Sequence, residues 1–287
     1  MCRWLAYSGG EIPLSELIFN TRHSLIDQSL DARLGPNTTN GDGFGVGWYG
    51  RPDSSEIALR NSGTPGLYKS VQPAWNDSNL HDLCRHISSP MFLAHIRAST
   101  GTPVQHTNCH PFRHNQWIFV HNGTVREFAR IRRAMLHELD EAHFREVGGS
   151  TDSELLFLLA SQFGLDDNPR QALQHMAGFV ERVGWDADIE HPLQMTLGLA
   201  NGQEVYAVRY SSEGDSRTLY HSNDLQALEA QLSPTQQSLL DEMTHTARCV
   251  VSEPLSDLEN MWVPIPEASF LTISSGDVYS EPFTPKH

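Results

Sequence analysis

Apolar and polar positions along this chain alternate in short runs, broken by turn signals, and change to helical spacing near the middle. Residues 2–8 read as a strand and Leu14 to Asn20 as a short helix. A polar loop from Asn37 to Gly43 precedes Phe44-Gly45-Val46-Gly47-Trp48-Tyr49, a strand whose alternating glycines predict that something approaches its backbone closely. Further strands are expected at Glu56–Arg60, Met91–Arg97 and Trp117–His121, with helices over Asp77–Ile87 and Val125–Leu136. Thr151-Asp152-Ser153-Glu154 is a capping signal ahead of the apolar run 155–160, and Arg170 to Val183 is a second helix. Asn201-Gly202 between Gln194–Ala200 and Glu204–Tyr210 marks a hairpin, because Asn-Gly readily takes the positive φ angles of a tight turn. Strands at Thr218–His221, Ala247–Ser252 and Phe270–Ile273 complete the pattern. Strands, then two helices, then strands again lack a regular βαβ alternation. The expectation is therefore two antiparallel sheets with helices outside, the first and last strand groups sharing one core.

Length and charge narrow the function classes. The 287 residues form one domain, 1–287, in this reading, with no repeat or linker to divide them. The net charge of −15 argues against a nucleic-acid partner, which a basic footprint would serve. The only lysines are Lys69 and Lys286, and neither lies in a phosphate loop, so nucleotide hydrolysis and pyridoxal chemistry are disfavoured and no cofactor is expected. No window of about 18 apolar residues offers a membrane span, and no signal segment opens the chain, so the expected location is the cytoplasm. Cys2, Cys84, Cys109 and Cys249 are widely spaced, which predicts free thiols. Fifteen histidines, among them His95, His106, His110, His114 and His121, lack metal-ligand spacing, so no metal is expected.

Four segments could carry chemistry. Cys2 follows Met1, and removal of Met1 would give one residue both a thiol and a free α-amine, which titrates near ~7.7–8.0 and can act as its base. The strand through Ala94 ends on Arg97, whose planar fork suits a carboxylate, with Ser99 and Thr100 supplying hydroxyls nearby. Asn122-Gly123 ends the next apolar strand and offers two neutral donors for an oxyanion. Asp152 can counter an ammonium group. Each has an ordinary alternative: a buried strand cysteine, a surface arginine at a strand end, a turn, and a carboxylate favoured by the helix dipole. Together they describe a site for an α-amino acid whose side-chain amide is cut.

In this order, the Met-Cys start, the Arg97 strand end, the segment around Asn122-Gly123 and the segment around Asp152 resemble the class II glutamine amidotransferases of the N-terminal nucleophile hydrolase superfamily. The chain looks most like their stand-alone subgroup, which includes the γ-glutamyl amidohydrolase of ergothioneine biosynthesis. The resemblance implies a four-layer αββα sandwich. It implies Cys2 as nucleophile with its α-amine as base, Asn122 and Gly123 as the oxyanion hole, and Arg97 and Asp152 as the grip on glutamine's carboxylate and ammonium; Thr100, from its place just after Arg97, is expected beside them in the substrate site. It further implies a γ-glutamyl thioester that water hydrolyses, with the loop Asn40 to Gly43 facing the site. No synthase unit follows residue 155, so hydrolysis of glutamine or a γ-glutamyl conjugate is favoured over ammonia transfer, and a separate synthase subunit would be the partner for any transfer. The alternatives are a non-catalytic glutamine-binding or regulatory subunit of the same fold, and an N-terminal-Cys hydrolase for another amide. An apolar acyl group would have no use for the opposite charges of Arg97 and Asp152.

Overall fold

The computed structural model describes residues 2–34, 39–50, 63–99, 101–223, 246–258 and 260–287. Its strands in chain order are β1 (Arg3–Pro13), β2 (Phe44–Tyr49), β3 (Gly66–Ser70), β4 (Ser88–Ile96), β5 (Phe112–His114), β6 (Trp117–Val125), β7 (Leu193–Ala200), β8 (Glu204–Ser211), β9 (Tyr220–Ser222), β10 (Arg248–Val251), β11 (Trp262–Pro264), β12 (Ser269–Ser274) and β13 (Asp277–Pro282). The helices are α1 (Ser15–Ile18), α2 (Leu25–Leu30), α3 (Ser78–His86), α4 (Phe128–Glu138), α5 (Glu141–Phe144), α6 (Asp152–Gln162) and α7 (Pro169–Asp186). The strand expected at Glu56–Arg60 lies outside the described residues.

The strands form two antiparallel sheets, ordered β11-β9-β10-β1-β4-β2-β3 and β13-β12-β8-β7-β6-β5. Alternation along the central strands builds the layers. In β1, Trp4 and Ala6 face the second sheet, where they meet Ile118 and Val120 of β6, while Leu5 and Tyr7 face the opposite way, onto a core shared with α1, α2 and α3. In β6, Phe119 and Val125 point instead at α6 and α7. Phe119 stacks on Phe157 at 5.1 Å, an aromatic pair worth roughly 0.5–1.5 kcal/mol beyond its buried area. The result is helices, sheet, sheet, helices, the four-layer αββα sandwich.

Local signals explain several boundaries. The Asp77 side chain caps α3 by accepting from the Leu80 N–H at 2.8 Å, and Thr151 caps α6 by accepting from the Glu154 N–H at 3.2 Å. The Asn201 side chain accepts from the N–H groups of Gln203 and Glu204, and Gly202 has φ +90°, which closes the β7–β8 hairpin. The expected close approach occurs at Gly45 of β2, where a Cβ would collide with the His110 carbonyl oxygen, while Gly47 faces the Ile118 side chain. The first strand group shares a sheet with 248–251, since β1 pairs β10, and the strand at 269–274, in the other sheet beside β8, meets it in one core as expected, where Leu271 and Ile273 pack with Trp4, Ala6 and Val250. One expectation changes. The strand Trp117–His121 does not end at Asn122-Gly123. It continues to Val125, and α4 starts only at Phe128, because Asn122, Gly123 and Val125 pair with Thr196, Met195 and Leu193 of β7.

Candidate active site

Register places the first pair of site residues. Arg3 of β1 pairs with Ile96 of β4, so the residues that follow the pair, Cys2 in one direction and Arg97 in the other, come side by side at one end of the sheet. The Ala98 N–H donates to the Cys2 sulfur at 3.4 Å, and the thiol reaches the Ala98 carbonyl at 3.5 Å. Burial pushes the Cys2 thiol up, opposed by the Ala98 N–H and the Arg97 charge, and Asp152 pushes it further up. The thiol is therefore protonated at neutral pH, and attack needs a base.

Arg97 is not the surface arginine of the ordinary reading: it is 3% exposed. Its Nη2 donates to Thr102 Oγ1 at 2.6 Å and Ser99 Oγ at 3.1 Å, and its Nη1 to the Asp42 carbonyl at 3.4 Å. Among the described residues these partners are all neutral oxygens, so its positive charge remains available to an anion. The loop Asn40 to Gly43 is clamped to this strand end. The Arg97 N–H donates to the Gly43 carbonyl and the Asp42 N–H to the Arg97 carbonyl, while Asp42 Oδ2 accepts from the Ser99 N–H at 2.7 Å. Thr100 lies outside the described residues; the hydroxyls on the guanidinium are those of Ser99 and Thr102.

Asp152 opens α6, so the helix-start reading is also true of it. Its Oδ2 accepts from the Val125 N–H at 2.8 Å, and its Oδ1 from the N–H and hydroxyl of Ser153 at 2.7 and 3.2 Å. Ser153 Oγ in turn meets His121 Nδ1 at 2.8 Å, which ties the helix start to β6. On that strand a Cβ at Gly123 would run into the Gln194 carbonyl of β7. Asn122 is buried, and alternation sets it on the face of Ile118 and Val120, the same inter-sheet face that Trp4 and Ala6 occupy in β1. The Thr196 hydroxyl holds the Asn122 carbonyl at 3.0 Å.

Cys2, Arg97, Gly123 and Asp152 line one cavity of about 290 Å³; Asn122, next to Gly123 in β6, is not among its lining residues. That volume is about the room of ten waters, enough for a molecule the size of glutamine. Thr102 and Ser153 also line the cavity, as do His110 and His121. His95 stacks on His110 at 4.1 Å and meets the His121 carbonyl through Nε2 at 3.2 Å. Burial pushes His95 down to about 3 and lowers His110 and His121, so all three are neutral at neutral pH. Among the described residues no group of three or more His, Cys, Asp or Glu is arranged to hold a metal. All four cysteines are free thiols. Asp42 lies in the loop expected to face the site, whereas Thr102 and Ser153 carried no signal in the sequence beyond their closeness to a singled-out residue.

Comparison with known proteins gives the family. Residues 16–286 match the family of class II glutamine amidotransferases. The chain is 30% identical, over 98% of its length and 84% of the other's, to the probable glutamine amidotransferase DUG3 of Saccharomyces cerevisiae. It is 25% identical to the γ-glutamyl-hercynylcysteine sulfoxide hydrolase of Mycolicibacterium smegmatis, over 78% of this chain and 84% of that one. Among solved structures, a glutamine aminotransferase class-II domain protein of Silicibacter pomeroyi superposes with a TM-score of 0.72 at 29% identity, covering both chains fully. Glutamine phosphoribosylpyrophosphate amidotransferase of B. subtilis shares the fold at 13% identity, with a TM-score of 0.64 over all of this chain and half of that one. The chain belongs to the class II glutamine amidotransferases.

Proposed function

We propose that this chain, as a single amidotransferase domain over residues 1–287, cleaves the γ-amide of glutamine or a γ-glutamyl conjugate through a thioester on Cys2. One observation carries the reading: a thiol, a buried guanidinium without a salt bridge among the described residues, and a carboxylate line the same cavity. Arg97 takes the substrate's α-carboxylate and Asp152 its α-ammonium, which presents the δ-carboxamide to Cys2.

In this mechanism removal of Met1 frees the α-amine of Cys2. That amine, titrating near ~7.7–8.0, accepts the thiol proton as sulfur attacks the δ-carbon. The negative oxygen that forms is held by the Gly123 N–H and the Asn122 amide. Collapse breaks the C–N bond, and the α-ammonium returns its proton to the departing ammonia or amine. Water then hydrolyses the thioester and releases glutamate. The hydrolase among the relatives supports a γ-glutamyl conjugate as substrate. No helix among the described residues is long and apolar enough to cross a membrane, and this and the four free thiols support a cytoplasmic location.

The test is glutamate release from glutamine and from a γ-glutamyl dipeptide. The wild-type chain turns over at least one and Cys2→Ala neither; turnover by Cys2→Ala, or none by the processed wild-type protein on any γ-glutamyl compound, contradicts the reading.

A further inference from the structure

Beneath Cys2 lies a buried ion pair to which the mechanism above gives no part. Glu253, just past β10, and Arg3, the first residue of β1, have side chains 2% and 3% exposed, and Arg3 Nε donates to Glu253 Oε2 at 3.0 Å. Both carboxylate oxygens are filled. Oε2 also accepts from the Leu34 N–H at 3.1 Å, and Oε1 accepts from His23 Nε2 at 2.6 Å and the Arg33 N–H at 2.8 Å. Burial alone would raise the Glu253 carboxyl, but these donors and the Arg3 charge hold it below the usual range, so it is a carboxylate at neutral pH.

The other branches of Arg3 give the pair its direction. Nη1 donates to the Cys2 carbonyl at 3.0 Å, and Nη2 donates to the Leu34 carbonyl. A buried ion pair by itself is weak evidence of stabilisation, because apolar side chains of similar volume often serve as well. A carbonyl held from a fixed guanidinium is something apolar packing could not supply. The need is specific: a chain that begins at Cys2 has no residue before it to hold the nucleophile, and chain ends are ordered only when tied down.

The Glu253 main chain is tied separately: Gln28 Nε2 donates to the main-chain carbonyls of Glu253 and His23, and Asn40 Nδ2 donates to the Gln28 carbonyl, contacts that a change of the Glu253 side chain leaves in place.

We propose that Glu253, acting through Arg3, is a positioning residue for the Cys2 nucleophile: it aims the guanidinium that fixes the Cys2 carbonyl, and so sets the direction in which thiol and α-amine leave the end of β1. The proposal rests on Cys2 being the nucleophile.

The test uses the full, Met1-processed chain carrying Glu253→Gln or Arg3→Lys. It measures steady-state glutamine hydrolysis, and the rate at which a diazo-ketone analogue of glutamine alkylates Cys2 as a function of pH. A misaligned nucleophile should lower kcat and the alkylation rate by roughly 10–10²-fold in both variants, with KM unchanged. Glu253→Gln leaves the Arg3 charge unpaired beside the α-amine, so the midpoint of its alkylation profile should move to lower pH, whereas Arg3→Lys, which keeps the charge pair, should not move it. Wild-type kcat and alkylation rates in both variants overturn the proposal. So does a loss seen only as higher KM, or only as a lower Tm with normal alkylation of the folded protein. If Glu253→Gln does not fold, Arg3→Lys carries the kcat and alkylation comparison. Full activity in a Cys2→Ala control would instead remove the reading on which the proposal rests.

Discussion

The Ala98 N–H reaches the Cys2 sulfur at 3.4 Å, one residue beyond Arg97. The thiol and the guanidinium are thus placed by the main chain of one strand end, and their spacing does not depend on two long side chains finding each other. The loop Asn40 to Gly43 clamps that strand end, so the Arg97 guanidinium and the Cys2 thiol, the proposed carboxylate grip and nucleophile, are held by one strand end.

Arg97→Met removes the proposed grip on the carboxylate together with the guanidinium bonds to Asp42, Ser99 and Thr102, and keeps the main-chain bonds of Arg97 to Asp42 and Gly43. A charge-assisted hydrogen bond contributes about 1.5–3 kcal/mol, so KM for glutamine should rise by roughly 10–10²-fold while a neutral amide is affected far less. Steady-state kinetics on the two substrates checks this; equal effects on both would contradict the carboxylate assignment.

Asn122→Ala tests the oxyanion hole separately. The Thr196 hydroxyl bonds the main-chain carbonyl of Asn122, so truncating the side chain leaves that contact in place. Loss of an oxyanion donor should lower kcat by about 10²–10³-fold. A near-normal rate takes Asn122 out of that role and leaves Gly123 as the donor that lines the cavity.

The buried histidines predict acid sensitivity. Burial holds His95 down to about 3 in the folded chain, while an unfolded imidazole titrates near ~6.5. Below that value the unfolded chain binds a proton that the folded chain refuses, so the contribution is fully present above pH 6.5 and is lost as pH falls from there toward 3. His95 alone gives a slope of about 1.4 kcal/mol per pH unit, or about 2 kcal/mol between pH 6.5 and 5.0. His110 and His121 act in the same direction. Urea unfolding across that interval should show the slope, and His95→Gln should flatten it by one proton; a flat profile in the wild type would contradict the burial argument.

Much of the fold was legible because its signals are local. Asn201-Gly202 specifies its own turn, Thr151 its own cap, and the glycines of β2 announced a close neighbour. Asn122-Gly123 misled for the same reason: locally it is a turn signal, and only pairing with Thr196 and Met195 on β7 keeps it in a strand. In the site, Cys2, Arg97, Gly123 and Asp152 were each visible as a residue type at a strand or helix end. Thr102 was not, because which hydroxyl meets the guanidinium depends on how the loop after β4 turns back. The Arg3–Glu253 pair was beyond reach, since it joins positions at opposite ends of the chain through the β1–β10 pairing.

The central claim is that Cys2, freed of Met1, is an activated nucleophile in a glutamine-shaped site. Intact mass before and after incubation with the diazo-ketone analogue of glutamine measures both parts at once. The account predicts a chain lacking Met1 that gains a single adduct, absent from Cys2→Ala. Retained Met1 with no adduct, in protein made with active methionine aminopeptidase, would contradict it and favour a non-catalytic glutamine-binding subunit.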